Sequence, residues 1–153
     1  MKHFLKTATI AALAVATLTA AAEPQQERYR FLGHTDQGVL LSTDATGPQN
    51  ARKVRTVVAT ATAALPGEAD NAEVGLVIDC TAKTAAINGL VTYLGDVEKV
   101  RLDDATTEPT AINPGSPNEL VYGMVCSGTA VTPAVYVTGV AKARAYALAE
   151  AKK

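Results

Sequence analysis

The sequence predicts an α+β fold: an antiparallel β-sheet with a helix tethered across one face by a disulfide, and a C-terminal extension that is helical toward its end. Three observations carry this. Segments with two-residue alternation follow one another between turn residues, as in antiparallel sheets. A helix-start signal, Ser116-Pro117-Asn118-Glu119, opens a short apolar-faced segment that ends at Cys126. The only other cysteine, Cys80, closes the apolar run Val74-Gly75-Leu76-Val77-Ile78-Asp79.

The compartment decides what two cysteines mean. Met1 to Lys6 carries two lysines and no acid, and Thr7 to Ala22 is uncharged and rich in Ala, Leu, Val and Thr. Ala20-Ala21-Ala22 offers small residues for cleavage before Glu23. This is the layout of a secretory signal. A membrane anchor would need about 20 strongly apolar residues, and no cysteine lies near the cut to carry a lipid. Export through the Sec pathway to the periplasm or cell surface is therefore expected, with no membrane span in the mature chain. In such a compartment an even cysteine count reads as a disulfide. The competing readings are a free thiol and a metal ligand, but two cysteines with one distant histidine do not make a zinc set. Closing the loop from Cys80 to Cys126 contributes about 4 kcal/mol at the upper end.

The rest of the chain fits one domain by the usual size of about 100–200 residues. The net charge is −1, and loss of Lys2 and Lys6 makes the mature chain more acidic. That argues against nucleic acid or an anionic membrane held by bulk charge. Residues 23–27 read as a flexible tail, 28–126 as the sheet-and-helix domain and 127–153 as the extension.

Element by element, Arg28 to Leu32 and Val39 to Thr43 are strands that pair as a hairpin around the turn His34-Thr35-Asp36-Gln37-Gly38. Arg52 to Ala63 is the clearest strand, with one charged and one β-branched face. Glu73 to Thr81 is the next strand, and its apolar run suggests a central position with both faces covered. Thr84 to Leu94 reads either as a hairpin turning at Asn88-Gly89 or, preferably, as one long strand with a bulge at the glycine. Glu98 to Leu102 is charged enough for an edge, and Asp103 to Pro114 is an irregular loop. Ser116 is the helix cap, its hydroxyl expected to accept the Glu119 amide while the Glu119 carboxylate reaches back to Ser116, with Pro117 at the first helical position. Leu120, Val121, Met124 and Val125 give the apolar face. Thr132-Pro133 is a candidate cap for a second helix ending at Ala151. Ala134 to Thr138 reads equally as helix or strand, and helix is preferred after Val140. Lys142, Arg144 and Glu150 share no helical face, so that helix shows no strong amphipathic pattern.

Chemistry is sparse. His34 and Asp36 lie at a turn, and only Ser42 or Ser116 could complete a triad. Ser116 lacks the setting of a nucleophile elbow, so no catalytic residue is assigned. Asp103, Asp104 and Glu108 form an acidic loop without calcium-loop spacing. No phosphate loop or dinucleotide fingerprint is present, and no cofactor or metal is expected. Arg52, Lys53 and Arg55 make a small basic cluster, by default a solvent face and otherwise a contact for an anionic partner. At least half of Tyr29, Tyr93, Tyr122 and Tyr136 are expected to fill core space. No binding face stands out.

The order of these segments resembles the surface-adhesin protein E family of exported bacterial proteins. The resemblance covers roughly Arg28 to Cys126. It rests on Phe31-Leu32-Gly33, on Val39-Leu40-Leu41 with Asp44, on Asp79-Cys80 and Tyr93, and on Asn113-Pro114-Gly115-Ser116 leading to Val125-Cys126. It implies about six antiparallel strands with one helix fixed across the concave face by the Cys80–Cys126 bond. It also implies no enzymatic activity, and host or envelope proteins as partners; the family's named adhesin binds host matrix proteins such as vitronectin and laminin. Only the two cysteines carry over from the family, as structural residues. The expectation is a non-catalytic envelope protein that binds another protein through its sheet or an edge strand. The alternative is a periplasmic module holding a small ligand between helix and sheet.

Overall fold

Apolar residues on both sides of several strands demand cover on both faces of the sheet, and the fold supplies it with one helix on each. The structure, a computed structural model, describes residues 26–62, 65–103, 106–129 and 134–153. The expected export leader (residues 1–22), most of the expected tail, Ala63, Asp104 and the candidate cap Thr132-Pro133 lie outside the described residues.

The elements run β1 (Arg28–Thr35), β2 (Gly38–Thr43), β3 (Arg52–Ala59), β4 (Asn71–Asp79), β5 (Thr84–Leu94), β6 (Val97–Asp103), β7 (Thr110–Ala111), α1 (Pro117–Cys126), β8 (Tyr136–Thr138) and α2 (Val140–Ala151). The sheet is antiparallel, in the order β6-β5-β4-β3-β2-β1-β8, with β7 also paired to β5. Eight strands replace the expected six. The two extra ones are two and three residues long, too short to show a period in sequence.

Val39-Leu40-Leu41 shows why two layers form. Leu40 joins a core with Leu32, Val54, Leu76, Ile78, Ala85 and Val121 of α1. Val39 and Leu41 face the other way, into a core with Tyr29, Val57, Ala59 and Ala143 and Ala147 of α2. Strand alternation therefore divides one sequence run between two cores. Residues 134–153 are not an appendage to the sheet: β8 pairs with β1 and α2 supplies half of one core.

The hairpin is tighter than expected. β1 continues through His34 to Thr35, which pairs with Gly38 across the turn Asp36-Gln37, after a register shift between Phe31 and Gly33. Only glycine fits at 38: its φ is +130, and a Cβ there would strike the backbone carbonyl of Ala59. β3 stops at Ala59 rather than Ala63. β5 is the single long strand, and the β4–β5 register skips Asn88, which places the bulge where Asn88-Gly89 suggested. In the extension, 136–138 is strand and the helix runs from Val140 to Ala151, which agrees with the preferred helix after Val140 and decides the open stretch before it as strand. Gly139, at φ +88, separates the two.

Candidate functional site

α2 covers only part of its face of the sheet. Beyond it, the cross-strand row Arg55–Gly75–Gly89–Asp103 lies open. Two adjacent glycines leave a trough, because neither raises a side chain from the sheet. The bulge then tips Asn88 over this floor: a Cβ on Gly75 would collide with Asn88 Oδ1. Gly89 and Asp103 line a small hollow of ≈ 270 Å³; on the other side of Asn88 and Gly75 opens a cleft of ≈ 830 Å³ across six strands, with Arg28, Thr43, Lys53, Arg55, Gly75, Asn88 and Thr138 among its walls. At Gln26, Glu27 and Thr138 it joins a second hollow of ≈ 410 Å³ that reaches Gly139, Val140, Ala141 and Lys142. These last residues are the first turn of α2, which has no side-chain cap and no acidic residue. Its amides point their partial positive charge toward this end.

The charges of the cleft are mostly engaged with one another. Glu27 accepts from the Tyr29 hydroxyl at 2.8 Å and from Arg55 Nη1 at 3.1 and 3.2 Å. Arg55 Nη2 also lies 3.4 Å from Glu73. Burial, followed by the hydrogen bond to Glu27 and its negative charge, pushes the Tyr29 phenol well above its ordinary range. Arg28 lies 3.7 Å from Asp44 and stacks over the Tyr136 ring at 4.3 Å. Lys53 is different: its backbone bonds Thr46 in both directions, but among the described residues its ammonium has no ion-pair or hydrogen-bond partner. The Thr43 hydroxyl accepts the Arg55 amide at 3.1 Å, which leaves its own proton free to donate.

Toward the covered end the network continues into the interior. Arg144 of α2 is 8 % exposed, lies 3.6 Å from both Glu73 and Asp96 and stacks over Tyr93 at 3.7 Å. Burial, with the Glu73 hydrogen bond and charge, raises the Tyr93 phenol as well. Sequence pattern gave no sign of this buried arginine, because its partners lie on other elements. Glu27, assigned to a tail, is likewise a wall of the cleft.

The residues picked from sequence fare unequally. Cys80 and Cys126 form the disulfide, Cα to Cα 5.5 Å, and it ties the end of α1 to the end of β4. Ser116 stands at the N-cap with Pro117 behind it, but its hydroxyl makes no cap bond. It donates instead to Asn113 O at 2.7 Å, and Glu119 accepts from Gly115 N at 2.7 Å rather than from Ser116. The reciprocal box is therefore corrected: the Ser116 amide already bonds Asn113 O, leaving Gly115 N–H as the donor for the carboxylate. His34 lies 3.8 Å from Glu150 and edge-on to Phe31, not beside a serine hydroxyl. Ser42 is buried and donates to Thr43 O. Asp103 pairs with Arg101 at 3.4 Å. The basic cluster is split by alternation: Lys53 and Arg55 line the cleft and Arg52 does not. Tyr29 and Tyr93 are buried, and Tyr136 is exposed.

Among the described residues no group of three or more His, Cys, Asp or Glu side chains could hold a metal ion, and no helix is long and apolar enough to cross a membrane. Comparison with protein-family models, with curated proteins and with solved structures finds no match.

Proposed function

We propose that this chain is an exported, non-catalytic binding protein of the cell envelope that receives a segment of another protein in the cleft on the α2 side of its sheet. One observation carries this: a built, charged and open cleft formed by strand register and a bulge, with a lysine left unengaged. Small-molecule sites are mostly apolar and enclose their ligand, whereas Arg28, Asp44, Lys53 and Arg55 here stand in solvent. The disulfide is compatible with an oxidising compartment outside the cytoplasm. Kinship with the surface-adhesin protein E family is part of the same proposal and rests on the residues quoted for it above.

The face suits a partner better than the edges do. β6 carries Glu98, Lys99, Arg101 and Asp103, and its register with β5 is broken between Thr92 and Tyr93. Charge and bulge are the usual devices against strand addition. β8, at the other edge, is three residues long. The rival site beside α1 is about half the size: Val121 packs among Leu32, Val54 and Ile78, and the hollow left along the helix, lined by Leu32, Lys83, Glu119, Leu120 and Tyr122, is ≈ 400 Å³.

Site-specific photo-crosslinking in the exporting cells tests the proposal. A crosslinker at Thr46 or Asn88 is expected to capture a defined protein, and one at Asn118 on α1 is not. Equal yields from both faces, or none from the cleft, would refute it.

A further inference from the structure

We infer that the cleft takes an extended acidic peptide segment, whose carboxylates meet Lys53 on the central strand β3 and the first turn of α2 at the cleft's end. This rests on the reading of the cleft as a protein-binding site and names the chemistry it selects.

Free hydrogen-bonding capacity points to an anion. Glu27 is occupied by Arg55 and Tyr29, and Asp44 stands against Arg28. The groups left over are mostly donors: the Lys53 ammonium, the Thr43 hydroxyl proton, the Asn88 amide and the uncapped amides of α2. No described residue occupies the Lys53 ammonium. Lys142, in the first turn of α2, adds positive charge where the helix end is already positive, an arrangement that disfavours the helix and favours an incoming carboxylate. The two donor-rich places belong to one continuous hollow, because both cavities share Gln26, Glu27 and Thr138.

Dimensions point to a peptide rather than a free acid. Lys53 lies on β3, and β2 and β1 stand between it and β8, the strand that leads into α2. At about 4.8 Å per strand spacing the three steps from β3 to β8 make roughly 14 Å, the reach of about four extended residues. A single amino acid cannot contact both places.

The test is fluorescence anisotropy with the oxidised protein and a labelled hexaglutamate peptide, with hexalysine and free glutamate as comparisons. Hexaglutamate is expected to bind and to weaken as salt rises. Lys53→Ala should weaken it about fivefold or more, Lys53→Arg should restore most of the affinity and Lys53→Glu should abolish it. Lys142→Glu should weaken binding about threefold while leaving the melting temperature equal or higher, since a first-turn acid suits the helix. Failure of hexaglutamate to bind, equal binding of hexalysine, or indifference to Lys53→Glu would overturn the inference. Free glutamate binding as tightly as the peptide would replace the peptide by a small acid. Crosslinking separates the two levels: a partner captured at Asn88 equally with Lys53 and with Lys53→Glu removes the carboxylate chemistry but keeps the site, whereas no capture at Asn88 removes the site itself.

Discussion

Tyr29 and Arg144 show how much of this fold rests on polar groups inside it. The Tyr29 side chain is fully buried with its hydroxyl on Glu27, and its phenol holds its proton more tightly folded than unfolded. The sign follows directly. Below a pH of about 10 both states are protonated and the stabilisation is complete; above it the unfolded state gains from losing the proton and the folded state does not. Stability should therefore fall by up to about 1.4 kcal/mol per pH unit as pH rises past about 10, with Tyr93 adding in the same direction. Urea midpoints from pH 9 to about 11.5 check this, and Tyr29→Phe should flatten the slope; an unchanged slope in that variant would assign the effect elsewhere. Arg144 makes a second test. Its ion pairs are 3.6 Å long, so Arg144→Ala should cost about 2 kcal/mol, less than the 3–5 of a tightly closed buried pair. Arg144→Met, which keeps the stem over Tyr93, should cost about half as much. A denaturation midpoint unmoved by Arg144→Ala would show that the stacking and the pairs contribute nothing.

At the scale of elements, α1 is the piece that cannot stand by itself. Ten residues are too few for a stable helix in water, and its one fully buried side chain is Val121. The bond from Cys126 to Cys80 holds it to the sheet across 46 residues of chain. Reduction, or Cys126→Ala, should remove up to about 4 kcal/mol and lower the melting temperature by ten degrees or more, on the order of 4–8 °C per kcal/mol for a small domain. A melting temperature insensitive to reductant would mean that α1 is held by packing alone. The cysteines, the helix start at Pro117 and the strands from β1 to β6 were legible because each leaves a local mark: an even cysteine count, a proline at the first helical position, a two-residue alternation. What escaped had no such mark. β7 and β8 exist only because β5 and β1 offer them hydrogen-bonding partners. The capping box failed because Asn113 O takes the Ser116 hydroxyl and amide, a turn closure that a four-residue pattern does not contain. The cleft was half visible: Lys53 and Arg55 were picked out as a basic cluster and Asn88-Gly89 as a bulge. That these lie together depends on the register of three strands, which no single segment encodes.

The molecule as a whole is decided by its last twenty residues as much as by the disulfide. α2 looks weakly amphipathic because alanines, Ala143 and Ala147, form its buried stripe, and small side chains let the helix approach the sheet closely. Opposite them stand Tyr29, Val39, Leu41 and Val57, all within 1 % of complete burial. Uncovering a side chain of this kind costs about 1.5–3 kcal/mol. Four of them together reach the 5–15 kcal/mol that separates a typical domain from its unfolded state. β8 would leave with α2, freeing the edge of β1 at the moment its apolar face is bared. A chain ending at residue 133 should therefore fail to fold, bind a hydrophobic dye and aggregate, even with the Cys80–Cys126 bond intact. Near-ultraviolet circular dichroism and size-exclusion chromatography of the oxidised, truncated protein check this. If the truncated chain instead ran as a monomer and melted like the full chain, 28–126 would be a self-sufficient domain and the two-sided core would be dispensable. The same truncation removes Thr138 and the first turn of α2 from the cleft walls, so one structural unit both completes the core and closes the end of the proposed binding site.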